Sequence, residues 1–179
     1  KKSTTRYVMI LNPDTILKNN TLDQIFKISE KLDFAILSPI SDKTNYPNFK
    51  MDKEKINSQN DLFEVDQVDG YSMVLDKYKF KKKFFDENIF MYLENDDLCL
   101  RMKKRGEKIY ILKNSIINHL GAKAVDEKFN NELEFSRNWH WSWSKFYYRK
   151  KHYGLIFAIT KGFPSFINSC FKCLFYFII

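Results

Sequence analysis

Cysteine and histidine are scarce in this 179-residue chain, with three of each. Cys99, Cys170 and Cys173 are too few for a disulfide framework, which fits a reducing compartment such as the cytoplasm. Cys170 and Cys173 have CxxC spacing, but no second pair or histidine cluster accompanies them to complete a zinc site, so they read as small apolar residues in an apolar tail. A long hydrophobic run is also missing. The uninterrupted apolar stretch at the end, Cys173 to Ile179, is far short of the roughly 20 residues that cross a bilayer. The opening "KKSTTRYVMILNPDT" contains no apolar segment of signal-peptide length. It also has no initiator Met, so a fragment or a processed chain is expected. No internal repeat and no nucleic-acid-binding motif is visible.

What is present points to one packed domain. Hydrophobic residues make up 44% and aromatic residues 17% of the chain, which excludes a disordered polymer. The formal charge of +8 favours anionic partners, whether a membrane surface, nucleic acid or a phosphorylated substrate. "RYVMIL" reads as a buried strand ending at Asn-Pro-Asp. "TLDQIFKISEKL" reads as a helix with Thr21 and Gln24 in capping-box spacing, and "FAILSPI" as the next strand. Strand, helix, strand is the signature of a helix-covered sheet. Residues 41–60 read as a polar surface loop, "VDGYSMVLDK" as a strand, and "EKIYILKNSIINH" as a strand followed by a loop that ends at His119. Helix is expected from Glu127 onward. The basic, aromatic "WHWSWSKFYYRKKHYG" followed by the interrupted apolar tail has the pattern of an interfacial membrane anchor, with Trp and Tyr at headgroup level and Lys and Arg for anionic lipid. A helix packing on another part of the protein is the competing reading.

Three features carry chemistry. Asn12-Pro-Asp14 places a carboxylate where the first strand leaves the sheet, the edge that open α/β folds use for ligands. Glu94, Asn95, Asp96 and Asp97 crowd three carboxylates and an amide into one turn. Part of that acidity suits a helix start, yet one cap and one dipole-facing acid would suffice. His119 closes a later strand. A carboxylate with an imidazole suits Mn²⁺, with waters or a phosphorylated ligand filling the other positions, which leaves the acidic turn free for proton transfer. Taken singly, Asn-Pro-Asp is better explained by an ordinary turn and His119 by a structural histidine.

Their order is more specific. "YVMILNPDT", then "VDGYSMVLDK", then "FDENIFMYLENDDLCLRMKKRGEKIYILKNSIINHLGAKA" resembles the family 2 glycosyltransferases of bacteria, particularly the rhamnosyltransferase-like members that build surface polysaccharides. The resemblance runs from Tyr7 to about Gly154. It implies a GT-A fold, here a partial α/β architecture with a mixed sheet flanked by helices, and with a helical, apolar C-terminal tail. Residues 1–126 would be the metal and acceptor half of the catalytic domain, and 127–179 the helical region. The resemblance also implies a nucleotide-sugar donor, a saccharide or lipid-linked acceptor, and a divalent metal, Mn²⁺ or Mg²⁺. Asn12 and Asp14 map onto the acidic positions of the DxD-like motif, with Asn12 departing from the strict pattern. Asp14 and His119 would hold the metal, and Asn12 would contact substrate. Asp69, Gly70 and Tyr71 match the segment lining the substrate pocket. Asn95 stands where many relatives have Asp, and an amide accepts no proton at neutral pH, so Glu94 is the expected catalytic base and Asp96 the runner-up. Asp97, in a capping or acceptor-binding role, and Arg101 of "LCLR" would also contact substrate.

A full enzyme of this kind begins with a βαβ unit that cradles the nucleotide, and nothing here matches that unit. The chain alone is therefore expected to bind donor poorly. Two other classes compete: a non-catalytic transferase half resting on a membrane or a partner, and a nucleic-acid binder suggested by the basic aromatic run. The second is disfavoured by the acidic turn. The expected location is the cytoplasm, peripheral to the inner face of the membrane.

Overall fold

The computed structural model describes residues 5–43, 46–51, 61–81, 83–121 and 129–178. Its chain divides into two units, one of Lys1–Asp86 with Glu94–Phe129, the other of Glu87–Leu93 with Asn130–Ile179. The boundary expected at 126/127 lies outside the described residues. The helical unit also takes in Glu87–Leu93, which the sequence had placed in the catalytic part.

The first unit is a mixed α/β layer structure. Its strands are β1 (Tyr7–Leu11), β2 (Thr15–Leu17), β3 (Ile36–Ser41), β4 (Phe49–Lys50), β5 (Leu62–Glu64), β6 (Gln67–Val68), β7 (Ser72–Asp76) and β8 (Ile109–His119); its helices are α1 (Thr21–Ser29) and α2 (Glu94–Lys104). The main sheet has the order β1-β7-β3-β8-β2, with β5 also on β8, and β4 pairs with β6 in a small second sheet. Strand β7 runs antiparallel to both β1 and β3, whereas β3 and β8 are parallel. The expected strand-helix-strand unit is therefore present with β7 inserted between its two strands.

Alternation along the strands sorts the core onto two faces. Ile36, Met73, Leu75, Ile109 and Ile111 point to the side closed by Leu98, Cys99 and Met102 of α2. Leu37, Val74 and Leu112 point to the side closed by Ile25 and Ile28 of α1. Every residue of β7 is buried, as a strand covered on both faces requires. Each such aliphatic side chain contributes about 1.5–3 kcal/mol by leaving water. β8 runs unbroken to His119, where a loop had been expected, because β2 supplies ladder partners for Ile117, Asn118 and His119. Lys113–Ser115 have no counterpart on β3, since the register jumps from Pro39↔Leu112 to Ile40↔Ile116. The strand thereby bends and re-aims its last residues.

Two local expectations change. Thr21 does not form a capping box. Asn20 occupies the cap position at φ 64° without a side-chain bond, and the buried Thr21 hydroxyl lies 2.7 Å from the carbonyls of Lys18 and Ile116. A hydroxyl serving the sheet is no longer available to the helix end. The polar stretch 41–60 is also not all surface loop. Within its described part, Asn48 is buried: its amide nitrogen lies 2.8 Å from the Pro39 carbonyl and its Oδ1 accepts from Ser41 N at 2.9 Å.

The second unit consists of α3 (Asn130–Tyr153) and α4 (Leu155–Ile178), joined at Gly154. Gly154 sits at φ +93°, a conformation that lets the chain reverse within one residue. Residues 87–93 pack on α3, with Trp143 Nε1 donating to the Asn88 carbonyl at 3.0 Å and Ser144 Oγ to the Met91 carbonyl at 2.6 Å. No helix among the described residues is long and apolar enough to cross a membrane.

Candidate active site

Several ionisable groups of the first unit lie where β1 and β8 end and β2 begins. Beyond β1, the Asn12 amide donates to the Tyr71 carbonyl at 2.9 Å, and Thr15 Oγ1 donates to the Asn12 carbonyl at 2.6 Å, fixing the Asn-Pro-Asp turn. Because Thr15 pairs with His119 across β2 and β8, the preceding Asp14 falls beside the imidazole. Asp14 Oδ1 and His119 Nε2 are 3.2 Å apart, and the Asp14 carbonyl accepts from Leu120 N at 2.9 Å. Tyr71 stacks on the imidazole, centroids 4.3 Å apart and planes 14° apart. Its hydroxyl bonds Ser41, and burial raises its pKa above the ordinary phenol value, against the opposing pull of that bond. The ring orientation of His119 is thus set by packing.

This pair fits a divalent cation. Two ligands at about 2.1 Å in adjacent positions of one ion stand about 3 Å apart, close to the separation seen. No group of three or more His, Cys, Asp or Glu side chains suited to a metal occurs among the described residues. An ion held here would draw its remaining ligands from solvent or from substrate, as an open catalytic site requires.

The acidic turn lies at the start of α2, preceded by Tyr92 and Leu93 at φ 67° and 65°. Two consecutive residues of this kind are rare outside glycine, and such strain persists where the surroundings over-determine the backbone. Asn95 Nδ2 donates to the Val68 carbonyl at 2.8 Å, and the Gln67 amide donates to Asp96 Oδ1. Both contacts bind the turn to β6. Gly70 sits directly against it: a Cβ there would be 3.3 Å from Glu94 Oε1 and 3.4 Å from Asn95 Cβ. Glycine is what allows this approach. Among the described residues, the buried Glu94 Oε2 has no hydrogen-bond partner.

Burial dominates the electrostatics of the cluster. It raises the Glu94 pKa, with repulsion from Asp96 adding to it, although a backbone N–H at the helix start pulls the other way. Burial likewise raises Asp96, against the opposing pull of Lys50, Asn95 and Gln67. Asp69 is also raised by burial, opposed by Lys50 and His119 and reinforced by Asp96. A helix N-terminus favours ionised acids, but here desolvation wins. Carboxyls raised together by burial in one place make a functional-site candidate.

The structure therefore brings Asp14, His119, Tyr71, Gly70, Asp69, Glu94 and Asp96 together, with the Asp69–Tyr71 segment bridging the His119 pair and the acidic turn. Asn12 borders the group with an exposed side chain. Asp97 and Arg101 have another occupation. Asp97 is fully buried, its Oδ2 is 2.8 Å from Arg101 Nε, and a second Arg101 nitrogen donates to the Phe84 carbonyl. That ion pair braces the helix and engages both groups at positions where a capping role or substrate contacts had been expected. Cys99 in the same motif is inert, its thiol pushed up to about 12 by burial. Sequence reasoning missed Gln67 and Lys50. They are register partners across β4 and β6 and so share one face, from which Gln67 reaches Asp96. A Lys and a Gln in short polar segments give no signal until the strands pair.

No protein-family model matches the chain, and no curated protein matches it.

Proposed function

We propose that the first unit is the metal- and acceptor-binding part of a GT-A-type glycosyltransferase, resembling family 2 enzymes, that moves a sugar from a nucleotide donor to a saccharide or lipid-linked acceptor with inversion. The observation carrying this reading is the meeting of two sets of groups on one connection. A carboxylate–imidazole pair lies on one side of the 69–71 segment, and a half-buried carboxyl with raised pKa lies on the other.

Asp14 and His119 would hold Mn²⁺ or Mg²⁺, which supplies charge to offset that on the departing diphosphate. Asn12, Asp69 and Tyr71 border the donor. Glu94 takes the proton of the acceptor hydroxyl as that oxygen forms its bond to the anomeric carbon and the sugar–phosphate bond breaks. Its raised pKa brings it toward neutrality, where a general base is most effective. Asp96 keeps Glu94 basic by repulsion. A non-catalytic module has no need of these desolvated acids, which is why the enzymatic reading is preferred. The helical unit, with exposed aromatics and recurrent Lys and Arg, would rest on an anionic membrane surface at the cytoplasmic face.

Thermal shift with Mn²⁺ and UDP, GDP or dTDP tests the reading. A nucleotide at 100 times its dissociation constant stabilises by about 2.7 kcal/mol, and each kcal/mol raises the midpoint by about 2–4 °C. The expected result is a metal-dependent rise for one nucleotide, lost in Asp14→Asn and His119→Ala. A rise that survives both substitutions contradicts the site.

A further inference from the structure

A cavity of about 480 Å³ lies between α3 and α4, within the range of about 300–1,000 Å³ typical of small-ligand sites. Phe146, Ala158, Gly162 and Phe163 form apolar wall, and Lys145 and Arg149 stand at its polar side. Lys145 and Arg149 are four residues apart on α3 and so share a face. Lys145 Nζ lies 5.0 Å from the Trp141 ring centroid and Arg149 Nη1 donates to the Lys161 carbonyl at 3.1 Å. Neither has a carboxylate partner among the described residues, and after Glu134 neither helix contains an acid. Two cations without counter-ions beside an apolar chamber complement one kind of molecule, an anion attached to a hydrocarbon. The surrounding surface agrees, since Ile156, Phe163 and Phe166 are all more than half exposed.

We infer that this cavity binds a single phosphate-bearing lipid, its phosphate between Lys145 and Arg149 and its chain against Phe146, Ala158 and Phe163. The inference extends the membrane-surface reading of the hairpin from general adhesion to a stoichiometric site, and it needs no sugar transfer. A free anion would use the two cations and leave the apolar wall wet. A neutral lipid would use the wall and leave the cations without a partner. Only the combination uses both.

Gly162 provides a clean test. Gly162 lines the cavity and a Cβ there meets nothing within 4 Å, so Gly162→Leu adds bulk at the wall from an uncrowded position, and leucine also favours helix over glycine. The intact chain would be titrated with dioctanoyl phosphatidic acid below its micelle concentration, followed by tryptophan fluorescence, beside inorganic phosphate. Adhesion to phosphatidylcholine vesicles with and without phosphatidylglycerol would be measured separately. The expected result is saturable binding of the monomeric lipid, about tenfold weaker in the Lys145→Gln/Arg149→Gln double variant and lost in Gly162→Leu, while Gly162→Leu still adheres to anionic vesicles. Equal binding by Gly162→Leu and wild type, or equal affinity for inorganic phosphate, would overturn the site. Loss of vesicle adhesion in the wild type would instead refute the membrane-surface reading. Should Gly162→Leu lose its helical circular dichroism, the double variant decides, and unchanged lipid affinity there refutes the proposal.

Discussion

The two units use the same residue types in opposite ways. The sheet unit turns aliphatic side chains inward from both faces of β3 and β7 and holds several carboxyls half-buried beside them. The helical unit turns large apolar side chains outward, with Phe135 78% and Ile156 81% exposed, and carries a strong excess of Lys and Arg. Burying a carboxyl costs stability and yields reactivity. Exposing an aromatic beside a cation costs solubility and yields adhesion to an amphipathic surface. Composition averaged over the chain hides this division, because its aromatic content looks like that of one large core.

The contrast can be broken by substitution. The largest effect is expected at Glu94, where Glu94→Gln should lower kcat for sugar transfer by about 10²- to 10⁴-fold and leave KM nearly unchanged. Equal turnover would move the base to Asp96. Next come the closed contacts of the sheet unit. Leu98→Ala should cost about 2–5 kcal/mol in denaturant unfolding. Arg101→Ala should cost about 3 kcal/mol, because it strands the buried Asp97. Loss of activity without loss of stability in Arg101→Ala would restore Arg101 as a substrate contact.

The third effect is smaller and of opposite sign. Glu94 and Asp96 have folded pKa values raised above the ordinary 4.5 and 3.8, so the folded chain holds their protons more tightly than the unfolded chain does. Their ionisation cost is absent below those ordinary values, grows as pH rises through the raised ones, and is complete above them. Lys50, Asn95 and Gln67 ease part of it at Asp96. Melting curves should therefore show Glu94→Gln and Asp96→Asn more stable than wild type at pH 7, the gain vanishing near pH 4. A loss of stability at pH 7 would mean that these acids are structural. The smallest effect is expected at the outward aromatics. Phe166→Ser should change unfolding free energy by no more than about 0.5 kcal/mol while weakening adhesion to anionic vesicles, whereas a large loss of stability would show Phe166 to be core.

The sheet was largely legible because period-two alternation and buried apolar runs survive folding unchanged. "RYVMIL", "FAILSPI" and "VDGYSMVLDK" each contain a strand, and the acidic turn opens a helix. What escaped was set by partners distant in sequence. Thr21 gave up a cap for the Ile116 carbonyl, β8 kept its last residues as strand because β2 lies beside them, and Asn48 left its polar loop for the interior. The site shows the same split. Asp14, His119 and the acidic turn could be picked out by residue type and order. The closed Asp97–Arg101 pair could not be told from a substrate contact, since the same acid and base four residues apart serve either purpose until burial is known.

On the proposed function, Asp14, His119 and the acidic turn face one shared ligand. Paramagnetic line broadening by substoichiometric Mn²⁺ in backbone amide spectra tests it most directly. Selective loss of the His119, Gly70, Tyr71 and Glu94 signals is expected. Ile109, ten residues back along β8 and so about 33 Å of strand away, should remain sharp, and Asp14→Asn should abolish the pattern. Broadening that spares Gly70 and Glu94, or that persists in Asp14→Asn, would contradict it.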